Sequence, residues 1–247
     1  MIGDIVQSRA LKRRDVAQRA FLGAIEHLNE ALEDDIAAKA IVLRGDDFQL
    51  LLQSPDRLPE VIWIMSALRP VEVRFGVGIG ELKTPLQEYA IGADGPAWHE
   101  ARNAIEAAHK LKSSPIVVRG LSERDEGPGN ALLRSYYHLV NQMTAKQREL
   151  VELARTGAKQ QYIAERLGVS QPTVATGLQK AEYELQTFVA GAAKQLLGQY
   201  TLLPSELGDE NAPYTLAIRR PTPMSMAAEQ RADYQVHPDP RPRSKPS

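Results

Sequence analysis

The chain has 247 residues, 43% of them apolar, which is enough for two modest hydrophobic cores, and its formal net charge is −1. It contains no cysteine, which excludes disulfide scaffolds, thiolate catalysis and Cys-ligated zinc. No stretch approaches the roughly 18 apolar residues of a membrane span and no basic-then-apolar leader opens the chain, so a cytoplasmic protein with no membrane partner is expected.

Met1-Ile2-Gly3-Asp4-Ile5-Val6 reads as a short buried strand that carries Asp4 at its end. From Asp15 to Leu32 the apolar residues Val16, Ala20, Phe21, Ile25, Leu28 and Leu32 recur at three- and four-residue steps, which predicts a helix with one face on a sheet. Lys39 to Leu43 and Phe48 to Leu52 read as a hairpin whose turn holds Arg44, Gly45, Asp46 and Asp47. A second helix is expected over Leu58–Leu68, started by Ser54-Pro55-Asp56, and a further strand over Val71–Ile79. This β-α-β-β-α-β order is that of the ferredoxin-like fold, in which two helices cover one face of an antiparallel sheet. A helix from about Gly95 to Lys112 and an edge strand at Ile116–Val118 extend it.

The polar, glycine-containing stretch Ser122–Asn130 reads as the boundary between a domain at 1–121 and a helical domain at 131–200. Half of the 16 prolines fall after residue 200, so residues 201–247 are expected to be a Pro-rich, partly disordered tail. The expected class is α+β: a ferredoxin-like (palm) antiparallel sheet domain, then an all-α helix-turn-helix domain.

In the second half, Thr144 with Gln147 has the form of a capping box, and Gly157 ends the helix it opens. A helix through Ile163, Ala164 and Leu167 meets the turn Gly168-Val169-Ser170. Gly168 suits a left-handed position, Val169 a plug between helices, and Ser170 a cap for the next helix, in which Pro172 is harmless. Gly177 lowers the stability of that helix by about 1 kcal/mol relative to Ala. The segment Gln161-Tyr-Ile-Ala-Glu-Arg-Leu-Gly-Val-Ser-Gln-Pro-Thr-Val resembles the DNA-binding units of sigma factor region four and LuxR-type regulators. That resemblance implies double-stranded DNA as partner, with Ser170 at the head of the recognition helix, Gln171, Thr173 and Thr176 at base edges, and Arg166 and Lys180 on phosphates. From Thr144 to Tyr200 there are seven Lys/Arg against five Asp/Glu, a small excess that favours a homodimer on paired half-sites. Tyr183, Phe188, Val189 and Leu196 are the expected dimer seam, or equally a packing face.

In the first half, Asp4 and Asp46 would lie side by side if their strands are neighbours, and paired carboxylates suit Mg²⁺. Gly3-Asp-Ile-Val-Gln-Ser-Arg resembles the first metal-binding segment of class III nucleotidyl cyclases. Arg44-Gly-Asp-Asp-Phe-Gln-Leu-Leu-Leu resembles their second and the GGDEF hairpin of diguanylate cyclases. Gly95-Pro-Ala-Trp-His-Glu-Ala-Arg-Asn-Ala resembles their phosphate-holding helix, and the whole set is most similar to the SatD family over about residues 1–120. The resemblance implies Mg²⁺ on Asp4 and Asp46, and a nucleotide or cyclic (di)nucleotide on Arg44, Gly45 and Arg102. Trp98 stands where cyclases carry asparagine, and Arg44 replaces the first glycine of a GGDEF hairpin, so binding rather than turnover is expected. Together these readings describe a DNA-binding regulator with a nucleotide-sensing domain, with a cyclase-type enzyme and a ligand-free dimerisation palm as alternatives.

Overall fold

A computed structural model describes residues 1–8, 13–43, 45–203 and 215–218. The first part runs β1 (Ile2–Ile5), α1 (Arg14–Ala31), β2 (Ile36–Val42), β3 (Asp47–Leu52), α2 (Leu58–Met65), β4 (Val73–Gly78), α3 (Pro96–Ala108) and β5 (Ile116–Arg119). The sheet has the order β2-β3-β1-β4-β5. Strands β2, β3, β1 and β4 are antiparallel to their neighbours, whereas β5 runs parallel to β4. The sheet is therefore mixed rather than purely antiparallel as the sequence suggested. A parallel neighbour needs a crossover, and α3 supplies it between β4 and β5.

One face of the sheet is closed by α1, α2 and the helices that come after β5. On α1 the residues Ala17, Phe21, Ile25 and Leu28 are buried, the stripe that its periodicity requires. Asn29 fastens the end of α1 to β2 by accepting from Ala40 N at 2.7 Å and donating to Ala40 O at 3.0 Å. Phe21, Phe48, Phe75 and Tyr137 form an edge-to-face chain through this core, with ring centroids 5.9, 6.4 and 6.1 Å apart. Gly3 is required here, because a Cβ would stand 2.1 Å from the Phe48 ring.

The other face is covered by α3, the further helix, to which the sequence assigned no side. Its buried residues Ala97, Ala101 and Ala104 come down on a strand whose alternate positions Gly76 and Gly78 carry no side chain. A Cβ at Gly78 would meet Ala97 O at 2.0 Å, and one at Gly76 would meet Ile105 N at 2.3 Å. Helix backbone thus lies against strand backbone. Leu51, Leu82 and Trp98 complete this second, smaller apolar cluster.

The helical part comprises α4 (Glu123–Gln142), α5 (Ala145–Arg155), α6 (Gln160–Leu167), α7 (Gln171–Lys180) and α8 (Tyr183–Leu197). The stretch 122–130, read as a boundary, forms the first turns of α4. Ser122 caps α4 by accepting from Asp125 N, and Asn130 bonds both Val118 N and Val118 O at 2.9 Å, which ties the first turns of α4 to β5. One apolar cluster then runs without a break from Phe21 and Phe48 through Tyr136 and Val140 to Val174 and Leu197. Beyond it β6 (Tyr200–Leu203) pairs antiparallel with β7 (Thr215–Ile218), and the rest of the expected tail lies outside the described residues. No described helix is long and apolar enough to cross a membrane.

Candidate nucleic-acid interface

The geometry of α5, α6 and α7 follows from their ends. Thr144 and Gln147 form the reciprocal capping box that opens α5. Gly168 closes α6 at φ 64°, the left-handed conformation that favours glycine, and Ser170 caps α7 by accepting from Thr173 N at 3.3 Å. On α7 only Val174 and Leu178 are buried. Gln171, Thr173, Thr176 and Lys180 are exposed, as are Ser170 and Arg166 beside them. An open groove between α5 and α7 is lined by Lys146, Leu150, Pro172, Thr173, Thr176 and Lys180.

Two residues of this unit behave differently from the sequence reading. Val169 is not a plug: it is 41% exposed, and the space between the helices is filled by Ile163 and Val174, both fully buried. Gly177 does more than weaken a helix. A Cβ there would stand 2.3 Å from Leu150 Cδ1, so its absence lets α7 close on α5.

The cations divide into two groups. Arg148 and Arg155 place their guanidinium carbons 4.2 and 4.4 Å from the Trp63 ring centroid, clasping the indole of α2. Arg148 also donates to Ser66 Oγ at 2.5 Å and Trp63 O at 2.9 Å. Arg155 donates to the Tyr136 hydroxyl at 3.2 Å, a phenol that burial pushes up to about 12. Lys194 pairs with Glu60 at 2.5 Å. Lys146, Lys159, Arg166 and Lys180 remain on the surface. The Trp63 clasp was not read from the sequence; the only local signal was the seven-residue spacing of Arg148 and Arg155, which puts them on one side of α5.

Of the expected seam on α8, Val189 is buried in the protein, Tyr183 and Leu196 are half-buried, and Phe188 is 73% exposed.

In the first part, β1 and β3 are neighbours, and Asp4 stands directly opposite Asp47 in their register. Asp46 lies one step further, its carbonyl accepting from Ile5 N at 3.1 Å and its carboxylate from the Ser8 hydroxyl. Gly45 has φ 72°, and Arg44 lies outside the described residues. The Asp4 side chain, 15% exposed, receives Arg74 Nη1 on Oδ1 at 2.7 Å and faces His109 Nε2 from Oδ2 at 3.3 Å. Arg102 is exposed on α3, seven residues and thus about 10 Å along the axis from His109. The fold sets Asp4 on β1 beside Asp46, which lies in the turn that precedes β3. Both Asp4 oxygens already face nitrogen groups, and a cation would have to displace the Arg74 guanidinium. Among the described residues no group of three or more His, Asp or Glu could hold a metal, and the Asp46 carboxylate is likewise engaged, by the Ser8 hydroxyl. Arg74 and His109 were not foreseen as neighbours of Asp4; a pairing across β1, β4 and the end of α3 leaves no spacing in the sequence.

Residues 1–196 match the SatD family. The chain belongs to the SatD family. In this SatD-family chain the match runs well past the 1–120 read from the sequence and takes in α4 to α7 and nearly all of α8. No curated protein and no solved structure matches.

Proposed function

We propose that this SatD-family protein is a DNA-binding transcriptional regulator in which α5, α6 and α7 form a helix-turn-helix and α7 enters the major groove. The observation that carries this reading is the setting of α7. Val174 and Leu178 anchor it, while Gln171, Thr173 and Thr176 are exposed, the two threonines along the groove between α5 and α7. One-sided burial is common to surface helices; what supports a recognition role for α7 is its place directly after the left-handed Gly168 and the Ser170 cap, with short polar side chains on its first exposed turns. In this role Gln171, Thr173 and Thr176 read base edges, and Arg166 and Lys180 hold phosphates on either side. With four surface cations per copy, log affinity should fall against log salt with a slope of about −4 per copy. The test is selection of random duplexes by the full chain. A discrete motif that is lost in Gln171→Ala/Thr176→Ala supports the proposal, and binding without sequence preference contradicts it.

The N-terminal domain is the sensing half in this proposal, a ferredoxin-type palm. The antiparallel order β2-β3-β1-β4, with α1 and α2 as its connections, supports the palm. The resemblance of its segments to nucleotidyl cyclases supports a nucleotide or cyclic dinucleotide as ligand. The Trp63 clasp is the physical link through which a change in the sheet domain reaches α5. Calorimetry with purine nucleotides and cyclic dinucleotides, with and without Mg²⁺, tests this half. If none binds, the palm is a scaffold, the reading that the Asp4–Arg74 ion pair favours.

A further inference from the structure

We infer that the cleft between the segment leading into β5 and the solvent-facing side of α4 binds the phosphoryl group of a small phosphate monoester. The site serves the sensing half of the proposed regulator and rests on that reading for its role. Its binding is measured without DNA, so the two can fail separately.

The cleft lies between Ser114, two residues ahead of β5, and a stripe of α4 that runs from Gly127 to His138. Gly127, Ala131 and Ser135 recur at four-residue steps along that stripe, so no long side chain fills the space above them. Arg134 and His138, also four residues apart, stand on the same side of the helix. From Gly127 to the end of α4 at Gln142 the sequence has no Asp or Glu, and no acidic side chain lines the cleft. The acids of α4 lie in its first turn, and two of them are engaged elsewhere: the Tyr200 hydroxyl donates to Asp125 at 2.7 Å, and Glu126 pairs with Arg119 at 3.2 Å.

Arg134 decides the charge of the ligand. Four arginines among the described residues are half-buried: Arg57, Arg74, Arg134 and Arg148. Arg57 pairs with Asp35, Arg74 with Asp4, and Arg148 donates to Ser66 Oγ and Trp63 O. Arg134 has no such partner among the described residues, and its Nε is shut off from solvent without an acceptor. A partly desolvated cation without a counter-charge gains more from an anion than a fully hydrated one does.

The other polar groups of the cleft are donors that the fold leaves unused. Ser114 is held at φ 48°, a conformation that residues other than glycine rarely adopt and that recurs at ligand sites. Its hydroxyl and that of Ser135 bond nothing else among the described residues. His138 Nε2 meets the Gln142 amide nitrogen at 2.8 Å; that nitrogen only donates, so Nδ1 carries the ring proton. A guanidinium fork takes two oxygens and a hydroxyl or imidazole takes a third, and three terminal oxygens are the mark of a monoester. The cleft measures about 460 Å³, the size of a small-molecule site and more than a bare phosphate fills, so the phosphoryl group arrives on a carrier. α4 leads on to the Thr144 cap of α5, which puts the anion on the element that joins the sheet to the recognition unit.

The test is calorimetry of the full chain with three probes: inorganic phosphate for the group without a carrier, AMP as a monoester and cyclic AMP as a diester. Phosphate should bind, AMP at least as tightly, and cyclic AMP least. Arg134→Gln should weaken the first two at least about tenfold, the worth of one charge-assisted hydrogen bond, and should melt like the wild type when no anion is present. Ser135→Asp sets a carboxylate in the cleft at an exposed position and should abolish binding with the fold intact, which keeps the test open should Arg134→Gln unfold. Equal affinity for AMP in the wild type and in Ser135→Asp would overturn the site while leaving a sensing role elsewhere in the palm. Preference for cyclic AMP over both other probes, or no binding of any of them, would also overturn it.

Discussion

Two helices of this protein, α3 and α7, meet their neighbours in opposite ways. α3 presses its backbone against β4 across Gly76 and Gly78, so the residues that lie over those glycines are Ala97, Ala101 and Ala104, with Trp98 buried beside them against Leu51 and Leu82. α7 touches the protein through Val174 and Leu178 and leaves its polar half outside. A helix with glycine beneath it is a wall of the fold. A helix held by two anchors and a cap is a surface on offer, and the difference separates residues that the fold needs from residues available for a partner.

The largest expected effect is at the wall. Gly78→Val would drive a side chain into the backbone of α3, where nothing can rotate away, and should reduce unfolding free energy by more than about 3 kcal/mol in a urea titration. A loss of less than about 1 kcal/mol there would mean that α3 does not seat on β4 as described. Next comes the joint between the two regions: Trp63→Ala should lose about 3 kcal/mol, from burial of the indole together with its contacts to Arg148 and Arg155. If instead the melting curve splits into two transitions, the regions fold separately once unclasped. Smaller effects belong to the offered helix. Gly168→Ala at φ 64° and Ser170→Ala at the cap should each lose about 1 kcal/mol in thermal melts and reduce DNA affinity through misorientation of α7. Smallest is Gly177→Ala, where the helix gain of about 1 kcal/mol opposes the displacement of Leu150, so a net change within about 1 kcal/mol of zero is expected. A large loss would show that Leu150 has no other rotamer.

The same contrast explains what the sequence disclosed. Ends and turns are local chemistry, so the capping box at Thr144, the left-handed Gly168 and the cap at Ser170 were legible, as were the elements up to β5. What Gly76 and Gly78 accommodate was not legible, because the helix that lies on those glycines comes about twenty residues later. Gly177 was read as a defect for the same reason, its partner Leu150 being on another helix. Ser122–Asn130 read as a domain boundary by composition; the Ser122 cap and the bonds from Asn130 to Val118 make it the start of α4, held on β5. Asp4 was singled out as a metal ligand because its neighbours Arg74 and His109 are 70 and 105 residues away in the chain. Val169 was assigned to the interior on its apolarity, whereas the turn carries it outward.

The most direct test of the central claim is selection from random double-stranded DNA with the full chain and with Gln171→Ala/Thr176→Ala in parallel, after both have been shown to melt alike. The account predicts a discrete recognition motif for the wild type and its loss, with weaker salt-sensitive binding retained, in the variant. Enrichment of the same motif by both proteins, or of no motif by the wild type, would contradict it.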